Sequence, residues 1–190
     1  MYYLVNEWSL DDERLRKDLE QIGLPIQSLQ LENILDSIFF NQKVDSPLHM
    51  TSLPLPPFWE VCANGDIVSD GMKRGKIDCF QDRPQRVKKV DWYDPDGHCS
   101  MSDHYDRSGS LFLKEVWSAN ERHLSIYTND RMGKLYLFHQ HDRAIYQAID
   151  GLEQGFSSIE DAKKALLQEA LLQAETVFLS DPELLKVLPK

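Results

Sequence analysis

The stretch VDWYDPDGHCSMSDHYDRSG, residues 90–109, repeats one pattern at an interval of twelve residues. Asp91-Trp92-Tyr93-Asp94 with Gly97 returns as Asp103-His104-Tyr105-Asp106 with Gly109. In a D-x-x-G turn the aspartate side chain accepts hydrogen bonds from its own turn, and glycine takes the positive φ that follows. The repeat therefore predicts tight turns between short strands. The predicted turn residues are Asp94, Gly97, Asp106, Gly109, Asp130 and Gly133.

A calcium loop is the competing interpretation of these aspartates. An EF-hand loop needs oxygen ligands at positions 1, 3 and 5 and a glycine at position 6. Aligning Gly97 with position 6 places Trp92 at position 1, and aligning Gly109 places His104 there. Neither side chain is a carboxylate ligand, so the spacing favours turns over a metal loop.

The distance between turns predicts an antiparallel sheet. Gly97, Gly109 and Gly133 are separated by 12 and then 24 residues, which indicates one unit with a degraded turn. That unit passes through residues 115–121. Strands at intervals of 8–12 residues with turns between them are typical of antiparallel sheets. We therefore predict a β-meander of five or six strands over residues 76–140.

The segments on either side of the meander predict α/β structure. YYLV and IQSLQLE indicate strands, with a helix between them whose apolar residues are Leu15, Leu19 and Ile22. Near the C-terminus one helical face carries Ile159, Ala162, Leu166, Ala170 and Leu171. The apolar run TVFLS after it is typical of a buried parallel strand. Three short strands and two helices are too few for a complete α/β layer, so we predict that the layer is truncated or is completed by a partner.

A proline-rich passage, SPLHMTSLPLPPFWEV, joins the first α/β segment to the meander. Proline is excluded from helix interiors and central strands, so we predict an extended connector. Phe58 and Trp59 are predicted to fill a core at its end. The following residues, 62–79, predict a hairpin region with turns at Asn64-Gly65 and Asp70-Gly71.

Composition excludes several classes of function. The 190 residues carry a net charge of −10, which disfavours binding to nucleic acid. Arg83, Arg86, Lys88 and Lys89 form a basic cluster, which we interpret as a solvated strand edge rather than a phosphate site. The three cysteines lack a CxxC spacing, which fits a reducing compartment. The start resembles no signal peptide, and no apolar run approaches the ~20 residues of a membrane span, so we expect a cytoplasmic protein.

No catalytic or metal constellation stands out in the sequence. GMKRGKI, residues 71–77, lacks the spacing of a phosphate loop and lies in hairpin-like sequence. By strand alternation His98 and His104 face away from Cys99 and Asp103, so these four do not converge on a metal. His139 and His141 are interpreted as a surface pair. Without a visible reacting centre, the residues favour a binding or assembly role.

Three stretches then resemble one known family. They are LPLPPFWEV (residues 53–61), RVKKVDWYDPDG (86–97) and DHYDRSGSLFLKEV (103–116). Their order and spacing resemble the stabilising, or chaperone, B subunit of the peptide O-GlcNAc transferase of accessory Sec systems. Such systems glycosylate serine-rich-repeat adhesins in Gram-positive bacteria.

The resemblance implies a fold: an antiparallel β-meander add-on domain inserted into a partial Rossmann-like frame, the first lobe of a GT-B fold. In this chain it implies an α+β arrangement with residues 1–50 in the lobe, 51–145 in the add-on domain and 146–190 back in the lobe. The chain would end within the first lobe.

The resemblance also implies a function. The B subunit lacks transferase activity, binds the catalytic A subunit and helps to hold the serine-rich acceptor polypeptide, while the catalytic subunit uses UDP-GlcNAc. No catalytic, cofactor-binding or metal residue is implied for this chain, and the location is cytoplasmic, with peripheral association at the cytoplasmic face of the membrane. The residues predicted to bind partners are Trp92, Tyr93, Tyr105, Phe112, Trp117 and Tyr127. The alternatives are part of an active GT-B glycosyltransferase and a carbohydrate-binding β-repeat module.

Overall fold

A computed structural model describes residues 2–5, 21, 27–30, 34–40, 47–172 and 177–179. The chain divides into two compact units, one within residues 39–159 and the other within residues 1–38 and 160–190. The larger unit is a ten-stranded sheet. Its strands are β3 (Glu60–Val61), β4 (Asp66–Ser69), β5 (Met72–Phe80), β6 (Arg83–Tyr93), β7 (Cys99–Tyr105), β8 (Leu111–Ser118), β9 (Glu121–Asn129), β10 (Gly133–Phe138), β11 (Arg143–Ala148) and β12 (Glu153–Phe156).

The ten strands form a simple meander. Each strand pairs antiparallel with the next strand along the chain, from β3 at one edge to β12 at the other. The predicted antiparallel meander is therefore confirmed. It is also longer than residues 76–140, because hairpins on both sides extend the same sheet.

The D-x-x-G turns form as the sequence predicts. Asp94 Oδ1 accepts hydrogen bonds from the backbone nitrogens of Asp96 at 3.0 Å and His98 at 2.8 Å. Gly97 takes a φ of 86°. The turn that begins at Asp106 repeats this arrangement, so the twelve-residue repeat is a repeat of turn chemistry.

The third predicted turn differs in its capping residue. Here the side chain that accepts a backbone hydrogen bond is Asn129, whose Oδ1 lies 2.9 Å from the nitrogen of Arg131. Gly133 has a φ of 110°, as the pattern required, but the cap falls one residue before Asp130. Asparagine and aspartate side chains form the same kind of turn, so the pattern does not distinguish Asn129 from its neighbour Asp130 as the capping residue.

The degraded turn is a two-residue hairpin between β8 and β9. Ala119 and Asn120 have φ values of 50° and 64°. Positive φ at both central residues defines a type I′ turn, whose twist suits a tight hairpin. A type I′ turn does not require a D-x-x-G sequence, so the twelve-residue pattern is absent from the sequence at this turn.

One face of the sheet, called the connector face below, is covered at β4–β6 by the proline-rich connector. The backbone nitrogen of Val87 donates to the carbonyl of Leu48 at 2.9 Å, which holds the connector against β6. An isolated antiparallel bridge pairs His49 with Arg86, and beyond it the prolines keep the connector out of the sheet, so it contributes side chains to a core. The buried residues of that core are Leu53, Ile67, Ile77, Val87 and Val90.

The prediction for the end of the connector is half right. Trp59 packs on this core, with its ring centroid 6.3 Å from that of Trp92. Phe58 does not fill a core: it is 92% exposed and has a φ of 69°. Phe58 lies in a turn in which the Trp59 nitrogen donates to the Pro56 carbonyl at 3.2 Å, so its side chain points into solvent while Trp59 reaches the sheet.

The opposite face of the sheet is covered at β8 and β9 by two aromatic residues that precede the connector. Phe39 is 0% exposed, and its ring centroid lies 5.3 Å from that of Tyr127. Phe40 makes an edge-on contact with Phe112 at 5.2 Å. The side-chain nitrogen of Asn129 donates to the carbonyl of Phe39 at 3.1 Å. The connector and the two phenylalanines thus lie over different strands, on opposite faces of the sheet.

The smaller unit contains three parallel strands. β1 (Tyr2–Val5) pairs with β2 (Gln27–Gln30) and with β13 (Val177–Leu179), so three predicted strands are confirmed. The described parts of the flanks contain the helices α1 (Ile34–Phe39) and α2 (Ile159–Leu172). On α2 the predicted residues Ala162, Leu166, Ala170 and Leu171 are buried together with Leu167, while Ile159 is half-buried. The helix predicted from Leu15, Leu19 and Ile22 lies outside the described residues. No helix in the described part is long and apolar enough to cross a membrane.

Candidate functional site

The connector face carries an apolar surface on the strands that the connector leaves uncovered. Residues opposite each other in an antiparallel pair share a face. Ile126 lies opposite Tyr136, which lies opposite Ile145 on the next strand. The members are half-buried except Ile145, which is 39% exposed. This set, called the apolar surface, is Val116, Leu124, Ile126, Tyr136, Phe138 and Ile145.

A polar contact on β7 separates the apolar surface from the connector's core. The indole nitrogen of Trp92 donates to Asp103 at 2.8 Å, and Lys114 Nζ lies 3.2 Å from the other Asp103 oxygen. Asp103 is 6% exposed, and a buried carboxylate is tolerated only when it is paired in this way. The contact ends the apolar core and leaves the apolar surface as a separate patch.

The opposite face carries a row of polar residues across the four strands β6–β9. Asp91, Ser102, Glu115 and Ser125 lie side by side, followed by Leu137. Ser102 Oγ donates to Asp91 at 2.5 Å. Ser102 and Ser125 are each 1% exposed, and each finds its own hydrogen-bond partner, Asp91 for Ser102 and His139 for Ser125.

Glu115 is the charged centre of this row. It accepts hydrogen bonds from Arg122 and from His104, the latter at 2.9 Å, while 5% of the residue is exposed. Burial raises the pKa of the Glu115 carboxyl, but the hydrogen bonds from His104 and Arg122 outweigh it, so the pKa lies below its usual value. The carboxylate is thus held ionised inside the sheet.

Replacing Glu115 by glutamine is expected to lower the free energy of unfolding by about 1–3 kcal/mol at pH 7, because Arg122 loses its counter-charge and the charge-assisted hydrogen bonds to the carboxylate are lost. The folded pKa is depressed, so the charge contribution is complete above the unfolded pKa of about 4.3 and is lost as pH falls through the folded pKa. The difference between the wild-type protein and the variant should therefore shrink below about pH 4. Urea unfolding from pH 3 to 8 measures this.

Glu121→Gln provides the control for that measurement. Glu121 begins β9 and is exposed, so its substitution should leave stability within about 0.5 kcal/mol at every pH. If the difference in free energy of unfolding between the wild-type protein and Glu115→Gln were the same at pH 3 as at pH 7, packing rather than charge would account for it.

Among the described residues, Ser125 and His139 are brought together. Ser125 Oγ lies 2.8 Å from His139 Nε2, which corrects the interpretation of His139 and His141 as a simple surface pair. The hydroxyl belongs to a residue that is 1% exposed within the polar row. A buried hydroxyl cannot reach a substrate, so the contact satisfies a buried polar group.

The histidines of β7 and its turn do not assemble with Cys99 and Asp103. His104 binds Glu115 on one face, whereas Asp103 binds Trp92 on the other, as alternation predicted. The prediction is wrong for Cys99: a bulge in the pairing of β6 with β7 places its Sγ 3.6 Å from Ser102 Oγ, on the face of His104. In the described residues, a separate group of Asp94, Asp96 and His98 places one ligand atom each within 4.8 Å of the others. Asp94 in that group already caps its own turn, which gives the cluster a structural role.

The predicted partner-binding aromatics lie in several different environments. Trp92 and Tyr105 pack on the connector's core, and burial together with the nearby Asp103 charge raises the pKa of Tyr105 to about 12. Phe112 and Tyr127 are 6% and 8% exposed on the opposite face. These four side chains contribute to packing within the unit.

Two of the predicted aromatics lie at less crowded positions. Lys73 Nζ lies 5.4 Å from the ring centroid of Tyr93, and the guanidinium of Arg122 lies 5.7 Å from that of Trp117. The structure therefore does not bring the six predicted residues into one patch. Their role in partner binding stays a prediction.

The residues of the apolar surface were missed in the sequence. The signal that could have found them is LYLF, residues 135–138, where a strand is apolar on both faces. A strand in an antiparallel sheet usually has one polar face, so the second apolar face indicates another contact. Leu135 and Leu137 are buried, and Tyr136 and Phe138 face the other way on the apolar surface.

The fold and the surface together define a class: an α+β protein in which a long antiparallel meander sheet carries an apolar surface on one face. A family model described as the GtfB middle domain matches residues 59–156, which are the strands β3–β12 almost residue for residue. This chain belongs to the GtfB family.

Curated relatives agree with that assignment. The chain is 37% identical over 82 residues to the UDP-N-acetylglucosamine–peptide N-acetylglucosaminyltransferase stabilizing protein GtfB of Streptococcus gordonii, a match that covers 41% of this chain and 18% of the relative. It is 28% identical over 158 residues to the protein of that name in Streptococcus pneumoniae, covering 74% and 35%. The chain thus spans about a third or less of the length of these relatives.

Solved structures show the same fold. A crystal structure of a GtfA/B complex bound to UDP and GlcNAc aligns with a TM-score of 0.71 at 21% identity, over 95% of this chain and 44% of that chain. The crystal structure of accessory secretory proteins 1, 2 and 3 of Streptococcus pneumoniae aligns with a TM-score of 0.68 at 10% identity, covering 98% and 49%. At these identities the likeness concerns the fold.

Proposed function

We propose that this chain is part of a non-catalytic stabilising subunit of a protein O-GlcNAc transferase, and that it binds the catalytic subunit. The main observation behind the proposal is that the residues matched by the family model, 59–156, are the residues of the meander sheet. Its relatives are named as stabilizing proteins, and one similar chain comes from a GtfA/B complex. The same proposal assigns β1, β2 and β13 to the first Rossmann-like lobe of a GT-B frame, which their parallel pairing supports.

The apolar surface is the part of the chain that we propose meets the catalytic subunit. The apolar surface is formed by residues from four adjacent strands, β8–β11. It includes the half-buried Tyr136 and Phe138 and the exposed Ile145. Aromatic and aliphatic residues at the centre of an interface supply most of its binding energy. A rigid sheet presents them in a fixed arrangement, so little conformational entropy is lost on association.

The proposal extends to the client and the location. We propose that the complex modifies a serine-rich-repeat adhesin, that this subunit helps to hold that acceptor, and that it acts in the cytoplasm or at the cytoplasmic face of the membrane. The free thiols of Cys62, Cys79 and Cys99 fit such a reducing compartment.

Ile145→Glu tests the proposed contact. A charge in a desolvated interface should weaken binding to a GtfA-type catalytic subunit at least about tenfold, or about 1.4 kcal/mol. Because Ile145 is 39% exposed, the substitution should leave the chain folded. Titration of the purified catalytic subunit with each variant, by calorimetry or interferometry, measures the affinity.

Gln154→Glu is the matched control. Gln154 is exposed on the adjacent strand β12 and lies opposite Tyr146, so its side chain shares the face of Tyr146 and not that of Ile145. Its charge should change the affinity less than twofold. Equal losses in both variants would argue against the apolar surface, and wild-type chain that fails to bind the catalytic subunit would argue against the proposed function itself.

A further inference from the structure

Three arginines meet at a shallow cleft on the larger unit, at the end of the sheet where the connector begins. Arg83 and Arg86 come from β6, and Arg107 comes from the turn between β7 and β8. The connector supplies part of the wall and is held there by the hydrogen bond between Val87 and Leu48. This arginine cleft is lined by Pro47, Leu48, Phe80, Arg83, Arg86, Val87, Asp106 and Arg107.

Arg107 is fixed in position at the cleft. Its Nη1 donates to Asp82 at 2.9 Å, and its guanidinium lies 4.9 Å from the ring centroid of Phe80. The hydrogen bond from Arg107 lowers the pKa of the Asp82 carboxyl, which keeps this partner ionised. A guanidinium supported by both a carboxylate and an aromatic ring is already oriented for a ligand.

The acidic groups at the cleft leave positive charge unbalanced. Asp106 is 4% exposed, and its Oδ1 accepts hydrogen bonds from its own turn, from Ser108 and Ser110. Asp82 is shared between Arg107 and Arg83, whose Nε lies 4.0 Å away. Among the described residues no carboxylate lies within ion-pair distance of Arg86. In a chain with a net charge of −10, this local excess of positive charge is unusual.

We infer that the arginine cleft is a binding site for a phosphate-class anion, with Arg86 and Arg107 as its principal donors. Guanidinium groups present forked N–H donors that match phosphate oxygens in pairs. The apolar walls at Leu48 and Val87 reduce competition from water. Charges that merely protect a sheet edge would point separately into solvent, whereas these side chains converge from two elements. The inference does not depend on the proposed function.

Arg86→Gln tests the site without disturbing the pair between Arg107 and Asp82. Titration of the full chain with inorganic pyrophosphate at low ionic strength, followed by calorimetry, should show saturable binding that weakens at least about tenfold in the variant. Lys88→Gln is the control: it removes the same charge two residues along β6, at an exposed residue outside the cleft. The control should change the affinity less than twofold.

A second arm distinguishes a soluble phosphate from a lipid headgroup. Vesicles of phosphatidylcholine with 20% phosphatidic acid, about one lipid in five, are sedimented with each variant. If the protein sediments with the vesicles, and this depends on Arg86 and not on Lys88, the site binds a lipid headgroup. If the protein binds pyrophosphate but does not sediment with the vesicles, the site binds a soluble phosphate. Absence of both, or equal losses for the two variants, overturns the inference.

Discussion

Gly133→Ala is expected to lower the free energy of unfolding by about 3–5 kcal/mol, enough to leave much of the sheet unfolded at 37 °C. Gly133 has a φ of 110°, which L side chains rarely adopt. A Cβ placed there would lie 2.1 Å from the carbonyl oxygen of Gln147 on β11. That oxygen belongs to backbone within a strand pair, so relief requires the ladder between β10 and β11 to shift.

Gly97→Ala separates the two causes of this loss. Gly97 has a φ of 86°, but a Cβ there would meet nothing within 4 Å. Its substitution should cost only the backbone penalty of about 1–2 kcal/mol. Urea unfolding monitored by tryptophan fluorescence compares the two variants. Similar losses at both positions would show that the contact with β11 relaxes at little cost.

Phe39→Ala is expected to produce the second large effect, a loss of about 3–5 kcal/mol. Phe39 is 0% exposed and packs on Tyr127, and its backbone carbonyl accepts the Asn129 hydrogen bond. Truncation leaves a cavity between this residue and β9. The loss of the transfer free energy of the ring and the residual cavity both contribute.

Phe58→Ala is the matched control, since it deletes the same ring from a residue that is 92% exposed. We expect a change within about 0.5 kcal/mol. Thermal or urea unfolding of the three proteins tests the pair. If Phe39→Ala were no more destabilising than Phe58→Ala, the segment at residues 39–40 would contribute nothing to holding the sheet.

The turns were predictable because their chemistry is local. Asp94, Asp106 and their glycines interact within four residues, so the sequence alone identifies them. The cap at Asn129 was missed because the neighbouring Asp130 can form the same side-chain turn, and the type I′ turn at Ala119 and Asn120 was missed because it needs no D-x-x-G sequence. Neither error changes the order of the strands.

The partner-binding residues were harder to predict than the fold. Aromatics such as Trp92 and Tyr127 are predicted to bind a partner, which stays a prediction, and in the structure they contribute to packing within the larger unit. Large aromatic residues are enriched both in cores and in interfaces, so residue type does not distinguish the two roles. The arginine cleft shows the same difficulty, since Arg107 joins Arg83 and Arg86 only through the pairing of β6 with β7.

By itself the sequence determined that this chain forms an antiparallel meander, because turn residues and the alternation of side chains act over a few residues. Only the tertiary structure decided which part of each face is covered. The connector covers β4–β6 on one face, and Phe39, ninety residues before its partner Asn129, covers the other. Alternation states which side chains share a face, but what lies over that face depends on contacts between distant segments, which local patterns do not encode.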